Sequence, residues 1–153
     1  MIPPLEDGVL PEGVHDCTLD EIERMFGRFQ KSDRRIRLIE RLKEYLVEAR
    51  SVTFIKAVII DGSFAMAKDE PADIDLLIVL DVSFSPGQEL KPFEYNAISK
   101  RAVKAAKYPF DLFALVDGSE NYHKFLDFFA KVNPDKHAAL TSRSRKGMLR
   151  VVP

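Results

Sequence analysis

The sequence predicts a single α/β domain. Three observations carry this: apolar residues at helical spacing over the first third of the chain, short β-branched or wholly apolar runs after it, and helix-suited segments between those runs. The 153 residues, 46% of them apolar, suffice for one hydrophobic core without disulfides or structural metals.

Residues 1–16 carry Pro3, Pro4, Gly8, Pro11 and Gly13 and read as an extended lead-in. The domain proper is expected over 17–153, with its core over 53–116. Thr18-Leu19-Asp20-Glu21 fits a capping box, in which the Thr hydroxyl and the Glu carboxylate satisfy free amides at a helix start; Gly27 stops that helix after Phe26. Ser32-Asp33 starts a second helix, with Ile36, Ile39, Leu42, Leu46 and Ala49 at helical spacing. Its other face carries Arg34, Arg35, Arg37, Arg41 and Lys43 and reads as solvated. Residues 53–60 are rich in β-branched side chains and read as a strand. Residues 74–80 form a second strand, apolar on both faces and so central in a covered sheet. A loop around Ser85-Pro86-Gly87 follows, then one helix over 93–107, ended by Tyr108-Pro109. Residues 110–116 make a third strand. Residues 121–132 make a helix with Phe125, Phe128 and Phe129 turned inward, and 146–152 close as a last strand.

Lysine and arginine number 23 against 24 aspartate and glutamate, a formal charge of −1. That excludes a generally basic nucleic-acid coat and an acidic disordered tail. One cysteine, Cys17, excludes an intramolecular disulfide and a multi-cysteine zinc site. The N-terminus lacks the basic and apolar regions of a secretory signal, and the longest purely apolar run, 76–80, falls far short of the roughly 20 residues of a membrane helix. The expectation is a cytoplasmic protein with no membrane partner.

Charge is nonetheless uneven. Seven acids stand against Arg24 and Arg28 over residues 1–30, whereas Lys131, Lys136, Arg143, Arg145, Lys146 and Arg150 stand against Asp135 near the end. The basic end suits an anionic ligand, and ordinary solvated surface charge suits it equally. Within it, Thr141-Ser142-Arg143-Ser144-Arg145-Lys146 is the candidate contact for an acceptor or a polyphosphate, or else a surface loop; neutralising Arg143 and Arg145 is expected to weaken binding of an anionic partner.

The chemistry concentrates in residues 59–78. A strand runs into Gly62-Ser63, a short helical stretch follows, and Asp73-Ile74-Asp75 opens the next strand. Alternate strand residues share a face, so Asp73 and Asp75 point the same way, roughly 6–7 Å apart. Asp111 opens the third strand and joins them if that strand pairs beside the second, since neighbouring strands lie about 4.8 Å apart. Unit charges about 6 Å apart at an effective dielectric near 20 repel by roughly 3 kcal/mol. Such a cluster is relieved by protonation, by splaying, or by cations. Oxygen-only ligands with an open side suit Mg²⁺ or Mn²⁺, and a glycine beside a helix start lets a phosphate approach the backbone. Acids, metal and phosphate cradle together indicate displacement at phosphorus.

This segment resembles the signature of the DNA polymerase β-like nucleotidyltransferase superfamily: hydrophobic-Gly-Ser, nine to thirteen residues, Asp-hydrophobic-Asp-hydrophobic, and a later acid on a following strand. Gly62-Ser63 is followed here by residues 64–72, then Asp73-Ile74-Asp75-Leu76, with Asp111 as the later acid. Likeness is strongest over 53–116. It extends to Leu10-Pro11-Glu12-Gly13-Val14-His15 and Arg145-Lys146-Gly147-Met148-Leu149-Arg150, which are similar to a subgroup of small bacterial and archaeal members. The resemblance implies a mixed sheet of three to five strands with flanking helices. It implies two divalent ions, Mg²⁺ or Mn²⁺, on Asp73 and Asp75, with Asp111 binding the metal nearer an acceptor hydroxyl. Gly62 and Ser63 would grip the outer phosphates of a nucleoside triphosphate such as ATP. Catalysis would come from positioning and charge neutralisation. Where many small members read Gly-Ser-x-Ala-Arg-Gly, this chain has Met66-Ala67 in place of Arg-Gly. Lys68 then reaches the triphosphate instead, or stays a solvated loop lysine. The acceptor is unread: a tRNA, a protein hydroxyl and a small molecule all fit.

Rival chemistries fit less well. A P-loop needs a second glycine and a Ser/Thr after its lysine. Asp-x-Asp sugar-nucleotide transferases place the motif where a strand ends. His15, His123 and His137 make no zinc-binding pattern, His15 with Cys17 reads as accidental, and Gly-x-Ser-x-Gly is absent. The serious alternative is a catalytically silent member acting as a binding or regulatory partner, as in a toxin–antitoxin-type pair.

Overall fold

The computed structural model describes residues 1–27 and 32–153. Arg28, counted above in the N-terminal charge balance, lies outside the described residues. In chain order the elements are β1 (Val14–Asp16), α1 (Leu19–Phe26), α2 (Arg34–Arg50), β2 (Ile55–Asp61), a 3₁₀ turn (Ser63–Ala65), β3 (Ile74–Leu80), α3 (Pro92–Ile98), α4 (Lys100–Ala105), β4 (Phe110–Val116), α5 (Glu120–Phe129), α6 (Pro134–His137) and β5 (Met148–Val151). The strands form one mixed sheet in the order β1-β5-β2-β3-β4. β2 pairs antiparallel with both β3 and β5, while β3 with β4 and β1 with β5 are parallel. The fold is thus α+β, with helices flanking a five-stranded mixed sheet.

Strand alternation sorts the core into two faces. On one, Val58, Ile60, Ile74, Leu76, Ile78 and Leu112 pack against Ile22, Phe26, Leu38, Leu42, Tyr45 and Ala97 of α1 to α3. On the other, Ala57, Ile59, Leu77, Val79 and Phe113 pack against Phe125, Leu126 and Phe129 of α5. Because both faces are covered, β3 is apolar from Leu76 to Leu80, as its sequence implies, with Asp75 the one charged side chain in it. The lead-in packs into the fold: Ile2, Val9 and Leu10 are buried, and Val14–Asp16 is an edge strand. No helix among the described residues is long and apolar enough to cross a membrane.

Local chemistry explains most boundaries. The capping box at Thr18 is present, with the Glu21 amide donating to the Thr18 hydroxyl at 3.2 Å and the Thr18 amide to the Glu21 carboxylate at 2.9 Å. Three helix expectations change. The single helix over 93–107 is two, because Ser99 adopts an extended backbone and its hydroxyl accepts from the Ala102 amide, so it caps α4. Phe128 points outward, 68% exposed, while Phe125 and Phe129 stack inward with ring centroids 4.2 Å apart. In α2, Ile36 is exposed and Arg35 is wholly buried.

Arg35 organises the loop after β2. Its guanidinium donates to the carbonyls of Phe26 (3.1 Å), Phe64 (2.7 Å), Met66 (2.7 Å) and Lys68 (2.6 and 3.0 Å), with a longer contact to Ser63 (3.5 Å). The Phe64 ring lies 5.1 Å from the guanidinium carbon. A rigid fork with five N–H donors suits such a fan of carbonyls. Burial lowers its pKa to about 10, which leaves it charged at neutral pH.

Candidate functional site

Strand register builds the site. Asp61 at the end of β2 is the Cα partner of Asp75 near the start of β3, and Asp75 is the partner of Asp111 near the start of β4. Paired residues share a face, so the three acids form a transverse row on the α5 side of the sheet. Asp73, two residues before Asp75, lies exposed beside the row. The sequence-predicted trio of Asp73, Asp75 and Asp111 is therefore brought to one edge, and the row gains Asp61, which sequence reasoning missed.

Gly62 and Ser63 abut this row. Gly62 has φ +80°, and a Cβ there would stand 2.5 Å from a carboxylate oxygen of Asp75. Only glycine admits both that backbone and that carboxylate. The expected helical stretch is a single 3₁₀ turn, whose Ala65 and Met66 amides bond back to Gly62 (3.1 Å) and Ser63 (3.2 Å). A turn this short supplies no helix dipole. Met66 is buried, and Lys68 sits further along the loop, with its carbonyl held by Arg35 and its charge beside His137.

Two lysines answer the outer acids. The Lys146 ammonium bonds Asp61 Oδ1 in a buried ion pair and donates to the Phe129 carbonyl at 2.9 Å, while Lys100 pairs with Asp111 at 2.8 Å and lies over the Phe113 ring. Asp61 Oδ2 is buried with no hydrogen-bond partner. Burial pushes the Asp61 carboxyl up, opposed by Lys146. Asp75 is pushed up to about 6, first by burial and then by the charges of Asp73, Asp61 and Asp111. Among the described residues no three His, Cys, Asp or Glu groups converge closely enough, as they stand, to grip one ion.

The row opens on a cleft of about 400 Å³ lined by Asp61, Gly62, Asp75, Lys136, His137 and Lys146, with Phe128 and Phe129 along its wall. His137 has its pKa lowered by burial and by Lys68, Lys146 and Lys136 around it. Of the basic run expected to meet an anion, only Lys146 reaches the cleft. Arg143 pairs with Glu6 (3.6 Å), and Arg145 pairs with Glu12 (3.2 Å) and Asp127 (3.5 Å). His15 Nε2 donates to the Pro11 carbonyl of its own loop (2.7 Å) rather than joining Cys17, whose thiol faces the Arg150 carbonyl.

A family model described as a family of unknown function (DUF6932) matches residues 3–152. The chain belongs to the DUF6932 family. No curated protein and no solved structure matches this DUF6932 chain. Its acid row, Gly-Ser turn and lysine counter-charges are therefore read on their own chemistry.

Asp61 and Arg35 carried weak signals. Asp61 directly follows the apolar run Ala57-Val58-Ile59-Ile60, where an acid is out of keeping with a solvated loop. Arg35 shares the helical stripe of Leu38, Ile39 and Leu42, three, four and seven residues on.

Proposed function

We propose that this chain binds a nucleoside triphosphate with a divalent cation and transfers the nucleoside monophosphate to a hydroxyl acceptor, the acceptor oxygen bonding the α-phosphorus as the bond to the β-phosphate breaks and pyrophosphate leaves, in the manner of a nucleotidyltransferase. The observation that carries the reading is the acid row in register across three strands, set against a glycine turn with no room for a side chain. The donor set is all oxygen and unevenly charged, which suits Mg²⁺ or Mn²⁺. Asp75 and Asp111, with Asp73 beside them, would hold the cation, which when bound polarises phosphoryl oxygens.

The chain's own groups do the rest. Gly62 and Ser63 let phosphate oxygens approach the backbone and the Ser63 hydroxyl, and Lys136 and Lys146 offer positive charge along the cleft. Asp111, half-exposed at the edge of the row, orients an incoming hydroxyl and accepts its proton. The wall around Phe128 and Phe129 limits water on the α5 side.

A second reading, a silent regulatory member of a toxin–antitoxin-type pair, draws on two observations. Both outer acids already hold lysines, and buried Met66 stands where many small members of the superfamily this segment resembles read arginine. Calorimetry with ATP, with and without Mg²⁺, separates them. Metal-dependent binding that Asp111→Asn weakens, together with label transfer from ATP to a lysate component, supports transfer. Metal-dependent binding without any transfer supports the silent reading, and no nucleotide binding refutes both.

A further inference from the structure

Of the three phenylalanines of α5, all read as core from the sequence, one stands out in the wall of the site's own cleft. We infer that the Phe128 ring is the stacking platform for the base of the nucleotide, with the Asn133 side-chain amide donating to the base edge. This rests on the nucleotide-binding reading above and concerns the part of the ligand that the acid row and the Gly-Ser turn do not touch.

A single exposed apolar side chain on an open surface is ordinary. Phe128 differs in its place. It is 68% exposed, yet it lines the cleft that Gly62 and Asp75 also line. Phe125 and Phe129 instead stack on each other, and both pack against Phe113 of β4. Phe128 meets Phe129 edge to face, with centroids 5.1 Å apart and planes at 73°. Such a contact orients the ring and occupies at most one of its faces, so a flat face remains open.

Asn133 lines the same cleft. Its Oδ1 accepts from the Asp135 amide at 3.0 Å and so caps α6. The oxygen is thereby committed, while the side-chain N–H groups have no partner among the described residues. An open aromatic face beside a spare donor matches a nucleobase, whose faces are π surfaces and whose edges carry nitrogen and oxygen acceptors. Lys136 and Lys146 in the cleft, with Lys68 beside His137, attract the phosphates to which that base is joined. The cleft's volume of about 400 Å³ falls within the roughly 300–1,000 Å³ usual for small-ligand pockets, room for a base as well as phosphates. Stacking tolerates any base, so ATP serves as the probe.

The test is calorimetry on the full chain with Mg²⁺, comparing ATP with inorganic tripolyphosphate, which has the phosphates and no base. Wild-type chain is expected to bind ATP the more tightly. Phe128→Ala is expected to weaken ATP roughly five- to a hundredfold, the usual worth of one base–aromatic stack, and to leave tripolyphosphate within about twofold. Asn133→Ser keeps a capping oxygen and is expected to weaken ATP several-fold, with tripolyphosphate again unmoved. The chain has no tryptophan, so Phe128→Trp adds a single fluorophore that bound ATP should quench and tripolyphosphate should not. Equal wild-type affinity for the two ligands, ATP affinity unchanged in Phe128→Ala or Asn133→Ser, both ligands weakened alike, or no quenching by bound ATP overturns the assignment while leaving nucleotide binding intact. Wild-type chain that binds neither ligand overturns both.

Discussion

Replacing Asp75 by Asn should stabilise the metal-free protein above pH 6 and destroy its response to Mg²⁺. Burial and the three neighbouring acids lift this carboxyl from 3.8 to about 6. The folded chain therefore keeps a proton on Asp75 across a window in which the unfolded chain has lost it. Where the folded form binds more protons, stability falls as pH rises, so the wild-type chain loses stability between about pH 4 and pH 6 and does not regain it above. At 1.36 kcal/mol per pH unit the penalty is about 3 kcal/mol, and screening by the water that still reaches this half-buried group reduces it to about 1–2 kcal/mol. Asn removes the charge at nearly constant volume. Differential scanning fluorimetry should show a melting temperature raised by roughly 2–6 °C at pH 7.5, and no gain at pH 4. Saturating Mg²⁺ should reverse the order, because a ligand at about 100 times its dissociation constant stabilises the wild type by about 2.7 kcal/mol. Equal melting temperatures at pH 7.5, or a gain that persists unchanged at pH 4, would refute the like-charge account.

The backbone and the cleft offer three further checks. Gly62→Ala meets both a left-handed backbone and the Asp75 carboxylate at 2.5 Å, so it should cost about 2–4 kcal/mol in urea unfolding, part of it recovered when Asp75 is also shortened to Ala. Arg35→Leu strands the carbonyls of Phe26, Phe64, Met66 and Lys68 in the core and should cost upwards of about 4 kcal/mol by the same measurement. Arg143→Gln should leave ATP affinity within about twofold at low salt, since Glu6 already answers that charge, whereas Lys136→Gln on the cleft wall should weaken it several-fold by calorimetry.

What the sequence shows and what it hides follow from how local each cause is. Residues 74–80 and 110–116 read correctly to the residue because runs that are apolar but for Asp75 and Asp111 are bounded by Pro71 and by Tyr108-Pro109. The capping box at Thr18 is a contact between residues three apart, and it is there. The break at Ser99 is less legible: neither proline nor glycine marks it, and a serine inside a helical pattern turns into a cap only when its hydroxyl wins an amide from the next turn. Arg35 is misread by type, since an arginine on a helix is normally solvated, and only the loop that arrives 28 to 33 residues later supplies the carbonyls that bury it. Asp61 depends on still longer reach. Its partner Lys146 is 85 residues away, and its place in the row requires the antiparallel register of β2 on β3, which no local pattern encodes. The pairing of Asp75 with Asp111, by contrast, needs only two strands that start with an acid in the same phase and lie side by side.

Arg35 also bears on the chemistry from the opposite side of the loop. Carbonyl oxygens are partial negative charges, and four carboxylates already crowd one side of the 62–68 loop. A loop left to itself would present some of its carbonyls to that side and repel a phosphate further. By gathering the carbonyls of Phe64, Met66 and Lys68 onto the α2 side, Arg35 removes that repulsion and holds the turn in the shape that Gly62 alone permits. Loop order and local charge are thus set by one buried cation from behind, as the acid row is tempered by Lys146 from within. Both cations sit where a mobile surface charge could not, which is why each is buried.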